Sequence, residues 1–220
     1  TPNTSSAASD VYKRQVVVGA PAARINNYGD GAAYVLYGPL SASLPLNEGL
    51  PHVHGSTAHA FLGTRVAVPG DVNADGYDDL LVGAPGVDGA GEDAGMAYLV
   101  LGPLSGALSA DHTDALISGA GAHRGLGAQA HVVGDLSGDA IPELAIGLDD
   151  GSTAELLLLF SGEVRGDLTE SDRLGSVTAP AVGQAADVRA HGGDLDGDGQ
   201  GDLLLACLLY TSDAADEVLG

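Results

Sequence analysis

The sequence predicts an all-β protein built from repeated units, and three observations support this prediction. An acidic nine-residue pattern occurs three times, starting at Asp71, Asp135 and Asp194. Each copy leads into a short aliphatic run, and such runs bounded by Gly, Pro and Asp are typical of strands. No helical period is sustained over about eleven residues. Units of about 60 residues with about four strands each therefore repeat along the chain.

The copies also match outside the acidic pattern. With an offset of 64 residues, residues 16–21 (VVVGAP) match residues 80–85 (LLVGAP), and residues 31–40 match residues 95–104. A looser third copy covers residues 144–160. Each unit has the order strand, acidic loop, strand, turn, strand, turn, strand. This order predicts four-stranded antiparallel sheets arranged as β-propeller blades, with about three blades of a partial propeller in the chain.

The acidic loops are candidate metal sites, because oxygen-bearing side chains occupy positions 1, 3, 5 and 9 of each. Calcium takes six to eight oxygen ligands, mostly carboxylates with a backbone carbonyl. By analogy with other calcium loops, the carbonyl of position 7 is the natural fifth ligand. The predicted ligands are Asp71, Asn73, Asp75, Tyr77 and Asp79 in the first loop, Asp135, Ser137, Asp139, Ile141 and Glu143 in the second, and Asp194, Asp196, Asp198, Gln200 and Asp202 in the third.

These loops differ from an EF-hand, which needs a bidentate Glu at position 12. Position 12 is Val82 in the first loop and Leu205 in the third. Gly76 and Gly199 at position 6 predict a sharp turn with positive φ. Ala140 takes that position in the second loop and Ser137 replaces an acid or amide at position 3, which makes this loop the weakest predicted site. The alternative for all three loops is an Asp/Gly turn without an ion.

The pattern from residue 62 to residue 85 resembles the FG-GAP repeat of integrin α-subunit β-propellers and many bacterial surface proteins. The resemblance rests on Leu62-Gly63, the acidic loop that begins at Asp71, and Gly83-Ala84-Pro85. It implies a seven-bladed propeller with calcium in the hairpin loops of some blades. It also implies a scaffold that binds a ligand or partner. The third copy departs from the pattern, since Gly147-Leu148-Asp149 replaces Gly-Ala-Pro.

The two ends of the chain carry a different signal. Residues 5–15 and residues 207–217 can be encoded by complementary strands of one DNA sequence, which resembles a transposase sequencing adapter. We therefore interpret residues 1–15 and 207–220 as translated adapter sequence, and residues 16–206 as a fragment of the native propeller. The one cysteine, Cys207, lies in the adapter segment, so a disulfide framework is not expected.

The charge of the chain excludes some classes of function. With 30 acidic against 8 basic side chains, the net charge is −22. Nucleic-acid and anionic-membrane binding need basic patches, and neither is expected here. No apolar run of about 18 residues occurs, so this segment is not expected to insert into a membrane. An acidic composition agrees with calcium loading and equally with a salt-adapted source.

No catalytic residues are expected in this segment. The Gly-x-Ser-x-Gly elbow, the phosphate loop and the His-Glu-x-x-His motif are all missing from the sequence. His52 and His54 share the spacing of one strand face, but strand packing is the preferred interpretation. The acid pair Asp149 and Asp150 is interpreted as a solvated turn.

The leading functional hypothesis is a calcium-stabilised propeller segment of a secreted or surface bacterial protein. Its expected partners are the missing blades of the parent chain and an unknown protein or glycan ligand, with a role as scaffold or in adhesion. The alternative is an accessory propeller of an extracellular polysaccharide lyase or phospholipase whose catalytic part is missing.

Overall fold

The structure, a computed structural model, describes residues 15–26, 28–38, 49–151, 157–178, 184–197 and 201–210. Fifteen strands occur in these ranges, together with 3₁₀ turns at Ala110–His112 and Glu170–Asp172. The strands are β1 (Gln15–Ala20), β2 (Ala32–Tyr37), β3 (His52–His54), β4 (Arg65–Gly70), β5 (Asp79–Ala84), β6 (Met96–Val100), β7 (Ala107–Ser109), β8 (Ala115–Ser118), β9 (Gln129–Val132), β10 (Leu144–Gly147), β11 (Leu157–Phe160), β12 (Gly166–Thr169), β13 (Gly175–Val177), β14 (Gln184–Gly193) and β15 (Asp202–Tyr210).

The strands form four sheets that follow one another along the chain. Their strand orders are β1-β2-β3-β7, β4-β5-β6-β8-β12 (read from its other edge), β9-β10-β11-β13 and the hairpin β14-β15. Strands that are neighbours within one repeat pair antiparallel. The predicted all-β fold with blade-like antiparallel sheets is therefore confirmed. The described part of the chain contains no helix with the length and apolar character needed to cross a bilayer.

The outermost strands of the first and second sheets differ from the prediction in their origin and direction. The sequence predicts sheets made of antiparallel strands from one repeat, but β7 and β12 each leave their own repeat. Strand β7 pairs parallel with β3 of the preceding sheet, and β12 pairs parallel with β8 of the second sheet. The second sheet consequently has five strands. A parallel partner requires a long connection, which here is supplied by the intervening strands of the following repeat.

The central strands of the second and third sheets are buried on both faces, because each of these sheets packs between two neighbours. In β5, Leu80 and Val82 pack against residues of the first sheet, while Leu81 packs against residues of the third. In β10, Ile146 faces the second sheet and Ala145 faces the terminal hairpin. Side chains alternate between the faces of a strand, so one aliphatic run contributes to two cores.

Glycines set the close approach of consecutive sheets. Within the second sheet the N–H of Gly63 donates to the carbonyl of Gly83 at 2.9 Å, and within the third the N–H of Gly127 donates to that of Gly147 at 3.0 Å, so these bonds extend the pairing of β4 with β5 and of β9 with β10. A Cβ on Gly19 would lie 2.1 Å from the Gly63 oxygen, and a Cβ on Gly83 would lie 2.0 Å from the Gly127 oxygen. The glycine of each Leu-Gly pair, Gly63 or Gly127, therefore needs the glycine of a Gly-Ala-Pro segment, Gly19 or Gly83, opposite it in the preceding sheet.

Candidate metal centre

The three acidic loops occupy equivalent places. Each connects the first two strands of a sheet: β4 to β5, β9 to β10, and β14 to β15. In each loop, the carboxylate at position 9 accepts a hydrogen bond from the backbone N–H at position 2. The bonds are Val72 to Asp79 at 2.8 Å, Leu136 to Glu143 at 2.5 Å, and Leu195 to Asp202 at 2.9 Å. The closing carboxylate thus holds the start of its own loop.

The first loop is organised around Asp71. Its two carboxylate oxygens accept bonds from the backbone N–H groups of Asp75 at 2.9 Å and Gly76 at 2.7 Å. Asp75 in turn accepts from the N–H of Tyr77 at 2.9 Å and from the side-chain amide of Asn73 at 2.9 Å. The predicted ligands therefore hold the hairpin in shape through backbone and side-chain bonds.

Asp79 is the buried member of the first loop. Besides its bond from Val72, it accepts a bond from the N–H of Gly102 at 2.8 Å, and its side chain is inaccessible to solvent. Burial raises the pKa of the Asp79 carboxyl to about 6, and the charges of Asp75 and Asp71 add to this increase. A bound cation would favour the ionised form of Asp79, because it attracts the carboxylate that burial otherwise disfavours.

Asp135 organises the second loop in the same way. It accepts bonds from the N–H groups of Gly138 at 2.6 Å, Asp139 at 3.1 Å and Ala140 at 2.8 Å. Desolvation acts to raise the pKa of the Asp135 carboxyl, but these bonds outweigh it and hold the pKa below its ordinary value. Asp139 accepts a bond from the N–H of Ile141 at 2.8 Å, as Asp75 does in the first loop.

Glu143 carries the strongest structural indication of a ligand. Its side chain is 1% exposed, and its Oε1 atom is buried with no hydrogen-bond partner. Oxygens of Asp135, Asp139 and Glu143 lie within 4.8 Å of one another. Three hard oxygen donors that converge on one point fit a divalent cation, and a buried carboxylate oxygen without a donor is costly unless something pairs with it.

The third loop brings a second carboxylate group together. Oxygens of Asp194, Asp196 and Asp202 also lie within 4.8 Å of one another. Asp194 accepts a bond from the N–H of Gly197 at 2.6 Å, as Asp135 does from Gly138. Asp198 and Gln200, the other two predicted ligands of this loop, lie outside the described residues.

The backbone turn occurs where the sequence predicts it, and at one further position. Gly76 at position 6 has φ of 93° and Ala140 adopts 71° at the same position, while Gly199 lies outside the described residues. Position 4 is also left-handed: φ is 59° at Ala74, 82° at Gly138 and 82° at Gly197. The glycines at position 4 of the second and third loops were a signal for this second turn. The assignment of the position-7 carbonyls of Tyr77, Ile141 and Gln200 as ligands stays a prediction.

The structure also locates the residues that the sequence analysis judged less important. The ring of His52 is buried, its Nδ1 atom lies 2.7 Å from the carbonyl of Leu50, and its ring centroid is 5.8 Å from that of His54.

Asp150 forms an ion pair with Arg124, which also binds Glu170 at 2.7 Å. Asp150 therefore belongs to an ionic cluster, whereas the sequence predicts a solvated turn.

Comparison with known proteins agrees with this geometry. The family model described as FG-GAP repeat matches residues 62–100. Integrin alpha-5 of Xenopus laevis is 29% identical over 167 residues, which are 69% of this chain and 15% of that protein. Integrin alpha-M of Mus musculus is 35% identical over 114 residues, which are 49% of this chain and 9% of that protein.

The chain thus spans less than a sixth of the length of these two relatives. The family match runs from Leu62 to Val100. It includes strands β4, β5 and β6 of the second sheet, the first acidic loop and the Gly-Ala-Pro turn. The similarity to integrin α chains also agrees with the prediction that this segment is not itself an enzyme. The chain therefore contains an FG-GAP repeat at residues 62–100 and is similar to integrin α chains.

Proposed function

We propose that this chain is a calcium-binding β-propeller segment of a secreted or surface-exposed bacterial protein. Its role is to present loops for a protein or glycan ligand, as a scaffold or in adhesion. Integrin-α-like repeats of this kind support ligand binding by a propeller. The calcium, the bacterial source and the location outside the cell belong to the proposal.

One observation carries the calcium proposal: the three carboxylates of the second loop converge around the unpartnered Oε1 atom of Glu143. Asp135 and Asp139 would bind the ion from the exposed side, and Glu143 would bind it from the buried side. The third loop would hold a second ion through Asp194, Asp196 and Asp202. The acidic excess of the chain, with a net charge of −22, would be reduced by each bound ion.

The role of the ion would be structural. When bound, calcium supplies positive charge that offsets the repulsion between crowded carboxylates. The chain itself fixes each hairpin: the position-1 aspartate binds the turn, and the position-9 carboxylate binds the N–H at position 2. Binding in the range of about 10⁻⁴–10⁻³ M, which is typical of extracellular modules, would match millimolar calcium outside cells.

The test is thermal and chemical unfolding of the whole chain in calcium and in chelator, with calcium titration followed by calorimetry. With calcium at about 100 times the Kd, each site should add about 2.7 kcal/mol to the free energy of unfolding. Glu143→Gln should weaken calcium binding and lower Tm in calcium, because it removes the buried negative charge.

Asp167→Asn is the matched control, since Asp167 is an exposed carboxylate on β12 outside the loops. This variant should keep the calcium response of the unaltered chain. Equal melting temperatures in calcium and in chelator would contradict the proposal. So would a Glu143→Gln variant that binds calcium as tightly as the unaltered chain.

The boundaries of the native segment are tested separately by sequencing the source DNA through residues 15 and 206. If the ends are adapter sequence, the native reading frame continues on both sides as further repeats with acidic loops. If the source DNA encodes the end residues as they stand, the adapter interpretation is wrong.

A further inference from the structure

We propose that the outer edge of β13 is a binding site for an added parallel β-strand that carries the pattern x-Leu-Ser/Thr. The occupant we assign to it is the corresponding strand of a following repeat. This inference concerns how blades join, and it does not rest on calcium binding.

The edges of β3 and β8, which are equivalent to the edge of β13, are filled in the same way. Strand β7 lies against β3 with Leu108 opposite Val53, and β12 lies against β8 with Leu168 opposite Ile117. Both added strands are parallel to their neighbour, and each comes from the repeat that follows the sheet it joins. One rule thus describes both additions.

Apolar packing of a central Leu and hydrogen bonds to the sheet hold both added strands. Leu108 and Leu168 are partly buried, and each packs against the core between two sheets. The N–H of His52 donates to the carbonyl of Gly106 at 3.0 Å, and the Ser118 hydroxyl donates to the carbonyl of Leu168 at 3.2 Å. The strand therefore needs an apolar side chain in the middle and a free backbone on the side of the sheet.

The added strands are also alike in sequence. They read Ala-Leu-Ser in β7 and Asp-Leu-Thr in the last three residues of β12, and each leads directly into a 3₁₀ turn. The central Leu is shared, the preceding residue varies, and a hydroxyl side chain follows. This pattern defines the chemistry of the strand that the edge accepts.

Strand β13 occupies the place in the third sheet that β3 and β8 occupy in the first and second sheets. It pairs antiparallel with β11, and its Val177 corresponds to Val53 and Ile117 at an offset of 60 residues from the latter. Within the described ranges, no strand lies along its other edge. Leu174, just before β13, is 60% exposed, and a Cβ added to Gly175 would meet no atom within 4 Å.

An edge of this kind presents unpaired backbone groups, which readily accept another strand. Strand addition takes its affinity from backbone hydrogen bonds and its specificity from pockets for alternate side chains. At β13 the site for the Leu side chain lies beside Val177, which packs against the core between the third sheet and the terminal hairpin. The contacts of β7 with β3 and of β12 with β8 thus define the kind of strand that β13 accepts.

The test uses the whole chain and a synthetic peptide with the sequence of residues 105–113, which contains β7. Amide hydrogen exchange is measured by NMR with and without excess peptide. We expect exchange at residues 175–178 to slow by roughly tenfold at saturation, because paired edge amides become protected. Residues 52–54 should not change, since their edge is already occupied by β7 of the same chain.

Two control peptides separate strand addition from non-specific binding. A peptide with Leu108→Asp removes the apolar anchor, and a peptide with an N-methyl group on that Leu removes a backbone donor. Neither should protect residues 175–178. Protection by both controls to the same extent as by the parent peptide would overturn the proposal, and so would no protection at millimolar parent peptide.

A pair of chain variants tests the acceptor side. Val177→Asp should abolish the peptide effect, whereas Val68→Asp, at a 39% exposed position on β4, should leave it intact. If Val177→Asp fails to fold, the two control peptides still decide the outcome with the unaltered chain.

Discussion

The first two junctions between consecutive sheets share a backbone geometry but differ in the side chains that close them. At the junction of the first and second sheets, Ala60 and Ala110 are both buried at 1% exposure. The equivalent positions at the next junction are Arg124 and Glu170, where Arg124 donates to Glu170 at 2.7 and 3.1 Å. Glu170 also accepts a bond from the N–H of Ala120 at 2.9 Å.

The comparison shows that one repeat geometry accepts either a small apolar pair or an ionic cluster. The apolar pair avoids any desolvation of charge. The ionic cluster ties three segments together, because Arg124 lies before β9, Asp150 after β10 and Glu170 after the added strand β12. A buried ion pair adds little net stability over an apolar pair, but the loss of one partner leaves a buried charge without compensation.

The largest effect is expected from Arg124→Ala. Glu170 would keep its burial and lose its guanidinium partner, which should cost roughly 3 kcal/mol in the free energy of unfolding. Urea unfolding at pH 7 measures this change. Arg165→Ala, at an exposed arginine, is the control and should stay within about 0.5 kcal/mol of the unaltered chain.

The double variant Arg124→Ala with Glu170→Ala sharpens the comparison, because it copies the first junction. We expect it to be more stable than Arg124→Ala alone, since the buried Glu170 carboxylate is no longer left without its guanidinium partner. If the double variant lost as much again as the single variant, the two junctions would not be alternative solutions of one geometry.

The next largest effect tests the backbone that both junctions share. Gly83→Ala would place a Cβ 2.0 Å from the carbonyl oxygen of Gly127, and both sheets would have to move apart. A loss of about 1–3 kcal/mol is expected, as for other overpacked positions. At Gly147 the nearest atom to an added Cβ is a side-chain carbon of Gln129, at 2.7 Å, so Gly147→Ala should cost less. Thermal unfolding of the two variants side by side gives the comparison, and equal losses would argue against close packing at Gly83.

The smallest effect is a pH dependence confined to the second junction. Desolvation acts to raise the pKa of Glu170, but the bonds from Arg124 and Ala120 outweigh it and hold the pKa below its ordinary value of 4.5. The stabilising contribution of Glu170 is therefore present above about pH 4.5 and is lost as pH falls through the lower folded pKa.

The protection factor of the amide of Ala120 against hydrogen exchange should accordingly fall in acid, while that of Ala60 should stay constant. Arg124→Ala should remove most of this difference. Because the pKa of Asp172 is also lowered, by bonds from Thr169, the same measurement on Arg124→Ala separates the two carboxyls. A pH dependence that persists in that variant would assign the effect to Asp172.

Much of the fold was predictable because its signals are local. Three acidic loops in register, aliphatic runs of strand length and Gly-Ala-Pro turns indicated sheets and their order along the chain. The positive φ of Gly76 was predictable from the same local pattern. The parallel additions of β7 and β12 were not, because a three-residue or four-residue strand has too weak a pattern to indicate its partner about 50 residues away.

The candidate metal sites were likewise predictable only in part. The sequence named the carboxylates of each loop, but it ranked the second loop lowest on account of Ser137 and Ala140. The structure adds a buried, unpartnered Oε1 atom on Glu143 in that loop, and a bond from Gly102 to Asp79 in the first. The bond from Gly102 arises from a residue beyond the loop itself, and the burial of Glu143 depends on the packing of the whole sheet.

The sequence by itself therefore determined the repeat, the acidic hairpins and the glycines of the Leu-Gly and Gly-Ala-Pro segments, since each of these signals lies within a few neighbouring residues. The tertiary structure decided which face of each strand meets which neighbouring sheet, where β7 and β12 pair, and that Arg124 meets Glu170 and Asp150. These contacts join residues from separate strands and turns. Their energies depend on burial and on distance in space, which no local pattern encodes.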